Sequence, residues 1–474
     1  MRSFVHLSLW LYAILVPALL SCSEEEEFLR NDAAHIAPDK SELRMLPHSI
    51  KVRPSGDMSG MTDANAIENA LLKIRPGGTV LLATGKYFIG RPVVAPGFNG
   101  TLRGDDKKET RIFGVGSKAA PFPLIPIRDN FVEILDRAVL FHFPSPAGKV
   151  IVSDLTFSLK EGFFSETIES GFIGPNDLFA FFVVDIGYDD VNTSFHNVAL
   201  KGIAVNAGGP FEDLLQFQPS QGIVVTGLPD NFPFPISGGK HSIANCHFSR
   251  VGLQSISLQL LNHAKLEIRN NKLTEVKQII TRLLNGSQVV IENNHISSFA
   301  FGTIVVTQEF QEAGEDKNQV FIRRNNIHTD GFMGIEIGAA PNFQVFISHN
   351  IIEMGADPTG FLPSLTGIGL FPGQDKALVH GNTIRGTSEF AIALQGVSNS
   401  LLLGNNVTSH TSTAEASYLL DADTFHNLVI NKGEASFIDD GTDNRLIFLQ
   451  DFGRLPLDAE ITKALKEHPI DDAF

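Results

Sequence analysis

One short phrase repeats between Lys265 and Val407: an apolar residue, two variable positions, an asparagine, one variable position and a second apolar residue. Its six copies contain Asn271, Asn294, Asn325, Asn350, Asn382 and Asn405. Subtraction of these positions gives steps of 23, 31, 25, 32 and 23 residues. Such a period, with variable insertions, is typical of stacked repeats, because each unit can bury its apolar face only against its neighbours.

The residues around each asparagine favour short β-strands over helices. Apolar residues alternate with period two in segments such as 266–268 (Leu-Glu-Ile) and 320–322 (Val-Phe-Ile). A second set of short apolar segments follows each copy, for example 302–306 and 334–337. Each unit therefore carries two or three strands separated by turns, and stacking the units would form long parallel sheets around one apolar core.

The asparagines themselves have a structural interpretation. Each one lies where one strand ends and the next begins at an angle, and asparagine tolerates the left-handed conformation that such a bend requires. Stacked asparagine amides can also hydrogen-bond to one another along the axis. We therefore predict that Asn271, Asn294, Asn325, Asn350, Asn382 and Asn405 form a structural ladder, and that they bind neither sugar nor metal.

The start of the repetitive region predicts a helix that caps the stack. Thr62 or Asp63 can begin this helix, and residues 76–78 (Pro-Gly-Gly) end it before a strand at 79–82. The residues at helical spacing on its apolar face are Ile67, Ala70, Leu71 and Ile74. A cap is expected because the open end of a stacked core must be covered.

Together, the asparagine phrase and this capping segment resemble the right-handed parallel β-helix proteins of the pectin-lyase-like type. The resemblance implies an all-β fold: a single-stranded right-handed parallel β-helix solenoid over residues 61–450, with an N-terminal capping helix and a short C-terminal helix within 451–474. The apolar residues of that last segment are spaced by four: Leu457, Ile461 and Leu465. Many proteins of this architecture are polysaccharide lyases, hydrolases or epimerases, so the resemblance also implies an extracellular polysaccharide partner.

The N-terminus predicts export and a lipid anchor. Residues 1–21 combine Arg2 with an apolar segment, and Cys22 follows directly. This resembles a bacterial lipoprotein signal, which implies cleavage before Cys22 and its acylation; an ordinary signal peptide with an incidental cysteine is the alternative. An acidic run then opens a tether at 22–60 and resembles a surface-export signal, although a solvated linker has the same composition. We expect an outer-membrane lipoprotein of the cell envelope that is exposed at the surface and contacts the membrane only through its lipid.

Charge and composition limit the possible partners. The formal net charge of −16 becomes −17 when the signal segment is removed, because Arg2 is the one charged residue among positions 1–21. No dense basic run occurs, which argues against nucleic acid and anionic membrane surfaces as partners. An acidic polysaccharide stays possible, since a local basic groove could still form. Cys246 is the one cysteine besides Cys22, and we predict a small buried thiol there.

The second strand set supplies the candidate catalytic residues. Its alternation predicts that Ile256, Leu258, Ile304, Val306, Ile335, Ile337, Ile368, Leu370, Ile392 and Leu394 point inward. The outward residues include Ser257, Gln259, Val305, Thr307, Glu336, Gly369, Phe371, Ala393 and Gln395, so Glu336 is the one carboxylate in this set. Arg282 lies on a strand one or two coils away. An arginine and a glutamate on one face can bind a uronate or perform acid–base chemistry, although solvated surface residues would look the same.

The motifs of specific enzyme families are incomplete in this chain. The blocks that resemble those of polygalacturonases are reduced to residues 328–330 (His-Thr-Asp) and 439–440 (Asp-Asp), and an epimerase-like block is reduced to 357–358 (Asp-Pro). A pectate-type lyase would need several carboxylates to hold calcium, and no such cluster is visible. We therefore predict no cofactor and no metal site, with calcium implied only if the protein is a lyase. The histidines beside the asparagine turns are interpreted as exposed edge residues: His247, His295, His328, His349 and His380.

These observations favour a surface-anchored β-helix lipoprotein that binds extracellular polysaccharide without a recognisable catalytic centre. The alternative is a divergent polysaccharide lyase or glycoside hydrolase acting on uronate-containing glycans. Its site would lie between the outward strand face and two predicted long loops at 161–190 and 206–241, unless those loops merely pack on their own phenylalanines. A third possibility is a structural or adhesion protein that binds no glycan.

Overall fold

The structure is a computed structural model of the chain. It describes residues 46–116, 122, 124–128, 134–160, 178–186, 191–203, 220–227, 238–251, 254–299, 302–308, 316–338, 343–355, 366–374, 376–386, 390–408, 416–432 and 435–449. The signal segment, most of the tether and the C-terminal segment 451–474 lie outside these residues, and so do Cys22 and the predicted C-terminal helix.

Each turn of the chain contributes one strand to each of three sheets, here called A, B and C. In one representative coil, β18 (Lys265–Arg269) belongs to sheet A, β19 (Lys272–Val276) to sheet B and β20 (Ile279–Leu283) to sheet C. Strands of the same sheet in successive coils pair in parallel, and the register shifts where β17 pairs with β20 and where β19 pairs with β22. The predicted right-handed parallel β-helix is confirmed, and its crossovers have the hand that nearly all parallel connections adopt.

The described strands are distributed over the three sheets as follows. Sheet A contains β1 (Ser49–Val52), β2 (Gly78–Leu82), β5 (Gly100–Gly104), β9 (Lys149–Ser153), β12 (Asn192–His196), β15 (Lys240–Ala244), β18, β21 (Gln288–Glu292), β24 (Asn318–Arg323), β27 (Phe343–Ser348), β30 (Ala377–His380), β33 (Leu401–Leu403), β36 (Leu428–Lys432) and β38 (Arg445–Leu449). Sheet B contains β3 (Gly85–Ile89), β6 (Thr110–Gly114), β10 (Thr156–Leu159), β13 (Ala199–Lys201), β16 (His247–Ser249), β19, β22 (His295–Ser298), β25 (Asn326–Thr329), β28 (Ile351–Met354), β31 (Thr383–Arg385) and β34 (Asn406–Thr408). Sheet C contains β4 (Val93–Val94), β8 (Ile134–Pro144), β11 (Leu178–Ile186), β14 (Ser220–Gly227), β17 (Ile256–Leu261), β20, β23 (Gly302–Gln308), β26 (Met333–Ile337), β29 (Thr366–Leu370), β32 (Phe390–Leu394), β35 (Ala416–Leu420) and β37 (Phe437–Asp439), and β7 (Leu124–Arg128) pairs antiparallel with β8.

The core is a continuous apolar column enclosed by the inner faces of the three sheets. The residues predicted to point inward on sheet C, from Ile256 to Leu394, are fully buried. Each buried aliphatic side chain contributes roughly 1.5–3 kcal/mol relative to an exposed one. In the N-terminal coils phenylalanines fill this space, and the Phe182 ring lies 4.8 Å from that of Phe157 and 5.1 Å from that of Phe195, measured between ring centroids.

The capping helix α1 spans Met61–Lys73, but neither Thr62 nor Asp63 caps it as the sequence predicted. Gly60 is the N-cap residue. The Asp57 carboxylate, one turn earlier, accepts hydrogen bonds from Thr62 Oγ1 at 2.7 Å and from the Thr62 amide at 3.1 Å. These bonds, with those from Ser59, hold the pKa of Asp57 well below its usual range. Asp63 is instead buried, and its carboxylate accepts the amides of Ser55 and Phe88, both at 2.8 Å.

The six asparagines lie at the corner between sheets A and B. The Asn271 amide and its Nδ2 both donate to Asn294 Oδ1 at 3.0 Å, and Nδ2 also donates to the Ile243 carbonyl at 2.9 Å. The same three bonds are repeated at Asn294, Asn325, Asn350 and Asn382. Cys246, which is buried, occupies the equivalent position one coil earlier, and its amide donates to Asn271 Oδ1.

One detail of the predicted ladder is corrected. The left-handed residue is not the ladder asparagine but the residue before it: Asn270, Asn293, Arg324 and His349 have φ between 55° and 56°. The chain makes its bend at that preceding residue. As a result, the next side chain points inward, where its amide is buried and fully hydrogen-bonded.

Two further expectations are corrected. The segment 161–190 contains β11 and the segment 206–241 contains β14, so neither is one long loop. Phe179, Phe181 and Phe182 of β11 pack in the main core, not in a lid. The sequences of these strands do not alternate between apolar and polar residues, because both faces of β11 and β14 are buried. In addition, β1 lies within the predicted tether, where it pairs in parallel with β2.

Four acidic residues of those two segments lie outside the described residues: Asp189, Asp190, Glu212 and Asp213. Among the described residues, no helix is long and apolar enough to cross a membrane.

Candidate functional site

The outer face of sheet C carries two rows of side chains that run along the helix axis. The first row contains His142, Val183, Val224, Ser257, Ile280, Val305, Glu336 and Gly369. The second row contains Asp185, Thr226, Gln259, Arg282 and Thr307, one polar side chain from each successive strand. This second row, called the polar row below, is the longest run of hydrogen-bonding side chains on this face in the part of the chain described.

The polar row changes in exposure along its length. Thr226 and Gln259 are fully buried, and Asp185 is buried as well. Arg282 and Thr307 are half-buried, so a ligand in solution can reach the row at this end. Gln259 Oε1 has no hydrogen-bond partner among the described residues, and a buried amide oxygen in that state costs stability unless a ligand or water bonds to it.

Arg282 and Glu336 do lie on one face, but the structure does not join them. They belong to different rows, and the strand β23 separates β20 from β26. At the usual strand spacing this places them about 10 Å apart along the axis. The Glu336 side chain also points toward Gly302: a Cβ atom at that glycine would lie 2.6 Å from Glu336 Oε2. The two predicted catalytic residues therefore occupy separate positions.

Glu336 has an apolar environment. The residues opposite it on the adjacent strands are Val305 and Gly369, and no second carboxylate stands beside it in this row. Burial raises the pKa of Glu336 above its usual value. A carboxyl group in this state can donate a proton or a hydrogen bond. A glycoside hydrolase would need a second carboxyl group within about 10 Å of it, and neither neighbour in the row supplies one.

Sequence analysis missed a buried ionisable pair on the same face. His142 Nε2 hydrogen-bonds to Asp185 Oδ2, and both residues are buried. Asp185 Oδ1 has no hydrogen-bond partner in the described part of the chain. A carboxylate orients an imidazole, so the pair has the chemistry of a proton-transfer group. Its sequence signal is a polar residue at the end of an apolar strand, which is weak because the two residues are 43 positions apart.

The described residues contain no group of three or more His, Cys, Asp or Glu side chains that could hold a metal ion. Of the turn-edge histidines, His295, His328 and His349 are exposed. The rings of His349 and His380 meet edge to face, with 4.8 Å between centroids. Burial and the neighbouring His349 lower the pKa of His380.

The C-terminal half of the chain is similar to one protein family. The model of the periplasmic copper-binding protein (NosD) family matches residues 239–447, which is 209 of the 474 residues and thus under half of the chain. No curated protein matches the sequence significantly.

Several solved structures are similar to this chain at low sequence identity. A family 28 exopolygalacturonase of Yersinia enterocolitica is 10% identical with a TM-score of 0.46, over 86% of this chain and 79% of that one. The surface protein and adhesin PfbA of Streptococcus pneumoniae is 13% identical with a TM-score of 0.38, over 84% and 100%. The A-module of a mannuronan C-5 epimerase of Azotobacter vinelandii is 12% identical with a TM-score of 0.43, over 83% and 92%. By its own three-sheet coils and asparagine ladder, this chain folds as a right-handed parallel β-helix.

Proposed function

We propose that the protein binds extracellular polysaccharide, with the outer face of sheet C as the contact surface. The observation that carries this proposal is the polar row, which presents one hydrogen-bonding side chain per coil. Strands in a sheet lie about 4.8 Å apart, a distance comparable with the length of one sugar unit. A glycan chain lying along the axis would meet the row at its two half-buried members, Arg282 and Thr307, which lie on adjacent coils.

The same proposal includes a location in the cell envelope. The matching family is described as periplasmic, which agrees with the exported lipoprotein indicated by residues 1–22. In this proposal Cys22 carries the lipid and the β-helix faces outward from the outer membrane. The substitution Cys22→Ser should release the protein from the membrane fraction, whereas a Cys22→Ser variant that stays membrane-bound would contradict the lipid anchor.

A catalytic role is the second candidate, and the raised pKa of Glu336 supports it. In that case Glu336 would act as a general acid in a polysaccharide lyase or glycoside hydrolase, with Arg282 binding a uronate carboxylate. Calcium would be required only for the lyase.

The copper in the name of the matching family does not fit the described residues. Cu(II) prefers four nitrogen or oxygen ligands in a near-planar arrangement. The best histidine pair, His349 and His380, brings two imidazoles together, and no third His, Cys, Asp or Glu joins them among the described residues. We therefore derive no step that involves copper.

The test uses the purified full-length chain and a panel of uronate-containing polysaccharides. Retardation in affinity gels measures binding, absorbance of unsaturated ends measures lyase activity, and reducing ends measure hydrolysis. The variant Arg282→Gln should reduce retardation about tenfold if its guanidinium contacts the glycan. The matched control is Arg103→Gln, which removes an exposed arginine from sheet A.

The outcomes separate the two candidates. Retardation without new unsaturated or reducing ends supports binding alone. If such ends form with the parent protein but not with Glu336→Gln, the result supports the catalytic role. If none of the polysaccharides is retarded or cleaved, the proposed function is wrong.

A further inference from the structure

The outer face of sheet A holds a concentration of positive charge that the acidic chain does not otherwise predict. Five cations surround two carboxylates on β15, β18, β21 and β24, and on the turn that follows β24. We call this the basic patch, and its members are Lys240, Lys265, Arg269, Glu267, Glu292, Arg323 and Arg324. Five positive and two negative groups give +3, on a chain whose formal net charge is −16.

Glu292 is the centre of one half of the patch. Arg323 Nε and Arg324 Nη1 both lie 3.1 Å from Glu292 Oε1, and Arg269 Nη1 lies 3.9 Å from Glu292 Oε2. The Glu292 side chain is 8% exposed, whereas that of Arg324 is 63% exposed. Three guanidinium groups therefore share one carboxylate, and the arginines still expose part of their surface to solvent, where another anion can bind.

Glu267 is the centre of the other half. Lys240 Nζ lies 3.2 Å from Glu267 Oε2, and Lys265 Nζ lies 3.7 Å from Glu267 Oε1. Although burial by itself would raise the pKa of Glu267, Lys240 and the other cations hold that pKa below its usual value. The carboxylate thus stays ionised and fixes the lysines in place.

The patch places two like charges on neighbouring strands. Lys240 stands directly opposite Lys265 in the register, whereas Glu292 stands between Arg269 and Arg323 in another row. Like charges that face each other across strands are destabilising. Two carboxylates do not require five cations, so the surplus has no structural purpose visible in the described residues. An external polyanion would make the arrangement favourable.

Two uncharged rows continue from the patch along the axis. The amides Gln288, Gln319 and Gln344 form a side-chain ladder, with Gln288 Nε2 donating to Gln319 Oε1 at 3.0 Å. Beside them the rings of Phe321 and Phe346 stack at 4.8 Å between centroids and 8° between planes. Amides bind hydroxyl groups, and the stacked phenylalanine pair adds an apolar contact for the C–H groups of a sugar.

We propose that the outer face of sheet A, from β15 to β27, binds a linear acidic glycan whose charges are carboxylate or sulfate groups. This inference rests on the proposed polysaccharide function, and it assigns a second surface and a charge class to it. The arginines and lysines bind the acidic groups, the glutamines bind hydroxyls, and the phenylalanine pair provides an apolar contact beside them. Guanidinium groups match planar carboxylates and sulfates in the way they match phosphates.

The surface favours a glycan over nucleic acid and anionic lipid. Its cations come from β15, β18, β24 and the turn after β24, and they lie next to amide and aromatic rows that follow the same axis at the strand spacing of about 4.8 Å. A phosphate backbone or lipid headgroup layer would use the charges but not those two rows.

The experiment measures binding of the full-length chain to polygalacturonate, dextran sulfate and uncharged dextran at several salt concentrations. The first variant, Arg323→Gln/Arg324→Gln, should bind the acidic polymers about tenfold more weakly, with a shallower salt dependence. A second variant, Lys240→Gln/Lys265→Gln, tests the other half of the patch in case the first one folds poorly. The matched control is Arg250→Gln/Arg385→Gln, which removes two exposed, paired arginines elsewhere.

Each result has a defined meaning. Loss of binding in both patch variants, with the control unchanged, supports the inference, and the preferred polymer identifies carboxylate or sulfate. Equal loss in the control overturns it, because the effect would then come from overall charge. Tighter, patch-dependent binding to duplex DNA or to phosphatidylglycerol vesicles also overturns it. If every glycan fails, the proposed function is wrong; if glycans bind through Arg282 but not through the patch, only this inference is wrong.

Discussion

Sheets A and C have the same apolar inner face, but the ionisable side chains on their outer faces have different surroundings. On the outside of sheet A, Glu267 and Glu292 are surrounded by exposed cations at ion-pair distances. On the outside of sheet C, Asp185 hydrogen-bonds to His142, and Glu336 stands between Val305 and Gly369 with its pKa raised by burial. The common core requires only alternation and size, so each outer face is free to specialise. Desolvated ionisable groups reduce stability, and they are therefore indicators of a functional face.

The largest expected effect concerns sheet A, which buries a titratable group on its inner side. His241 Nδ1 lies 2.9 Å from Thr193 Oγ1, and Nε2 hydrogen-bonds to the Gly238 carbonyl. Burial lowers the pKa of His241 from 6.5 to about 4. The unfolded chain therefore takes up a proton below about pH 6.5 while the folded chain does not. We expect stability to fall by about 3 kcal/mol between pH 6.5 and pH 4 from this residue alone.

The measurement is urea denaturation of the parent and of His241→Gln across that pH range. Glutamine can make similar hydrogen bonds but does not titrate, so the variant should lose about 3 kcal/mol less than the parent on acidification. Parallel stability curves would show that His241 is protonated in the folded state as readily as in the unfolded one.

The second prediction compares a buried pair on sheet C with an exposed pair on sheet A. Asp185→Ala removes the carboxylate that bonds to the buried His142, and should lower the free energy of unfolding by about 2 kcal/mol. Lys240→Ala removes a half-exposed partner of Glu267 and should change the free energy of unfolding by less than about 0.5 kcal/mol.

A double-mutant cycle with His142→Ala completes the test. The coupling energy between Asp185 and His142 should exceed about 1 kcal/mol, because the two residues are in direct contact. A coupling near zero would mean that the pair contributes no more than the surface contacts of sheet A do.

The third prediction divides sheet A itself. Glu292→Ala leaves three guanidinium groups without their shared carboxylate, and should cost about 1–2 kcal/mol at low salt. Arg324→Ala removes an exposed partner and should cost only a few tenths of a kcal/mol. Thermal unfolding at two ionic strengths measures the loss of stability in both variants, and added salt should reduce the difference between the two losses. Equal costs would show that burial of Glu292 is irrelevant.

The inner architecture was predictable from sequence because it repeats locally. Alternation with period two indicated the inward residues, and the asparagine phrase indicated the A/B corner between residues 271 and 405. The phrase is invisible in the earlier coils because Leu155, Val198 and Cys246 occupy the ladder position there, each after a left-handed residue. For the same reason the sequence predicts loops where β11 and β14 lie. Both strands are apolar on both faces and no asparagine phrase marks them, so their sequences show no alternation of apolar and polar residues.

The candidate site was predictable only in part because it depends on register between coils. Alternation correctly put Glu336 and Arg282 on the outside of sheet C, but only the strand pairing shows that they belong to different rows. The His142–Asp185 pair and the basic patch join residues from different coils, separated by loops of unequal length. No local pattern encodes such contacts, so the sequence left a local basic groove open without locating it.

The smallest expected effect has the opposite sign to that of His241 and tests the desolvation of sheet C directly. Burial raises the pKa of Glu336, so the unfolded chain releases this proton at a lower pH than the folded chain. Its contribution to stability is thus present below the ordinary glutamate pKa of 4.5 and is lost as the pH rises above it. Glu336→Gln removes the ionisation, and we expect a higher urea midpoint than the parent at pH 7 and an equal one at pH 4. A variant that is less stable than the parent at pH 7 would show that the ionised carboxylate is stabilised by a partner. Glu336 would then belong to the same class as Glu267 and Glu292, and the contrast between the two outer faces would rest on the His142–Asp185 pair alone.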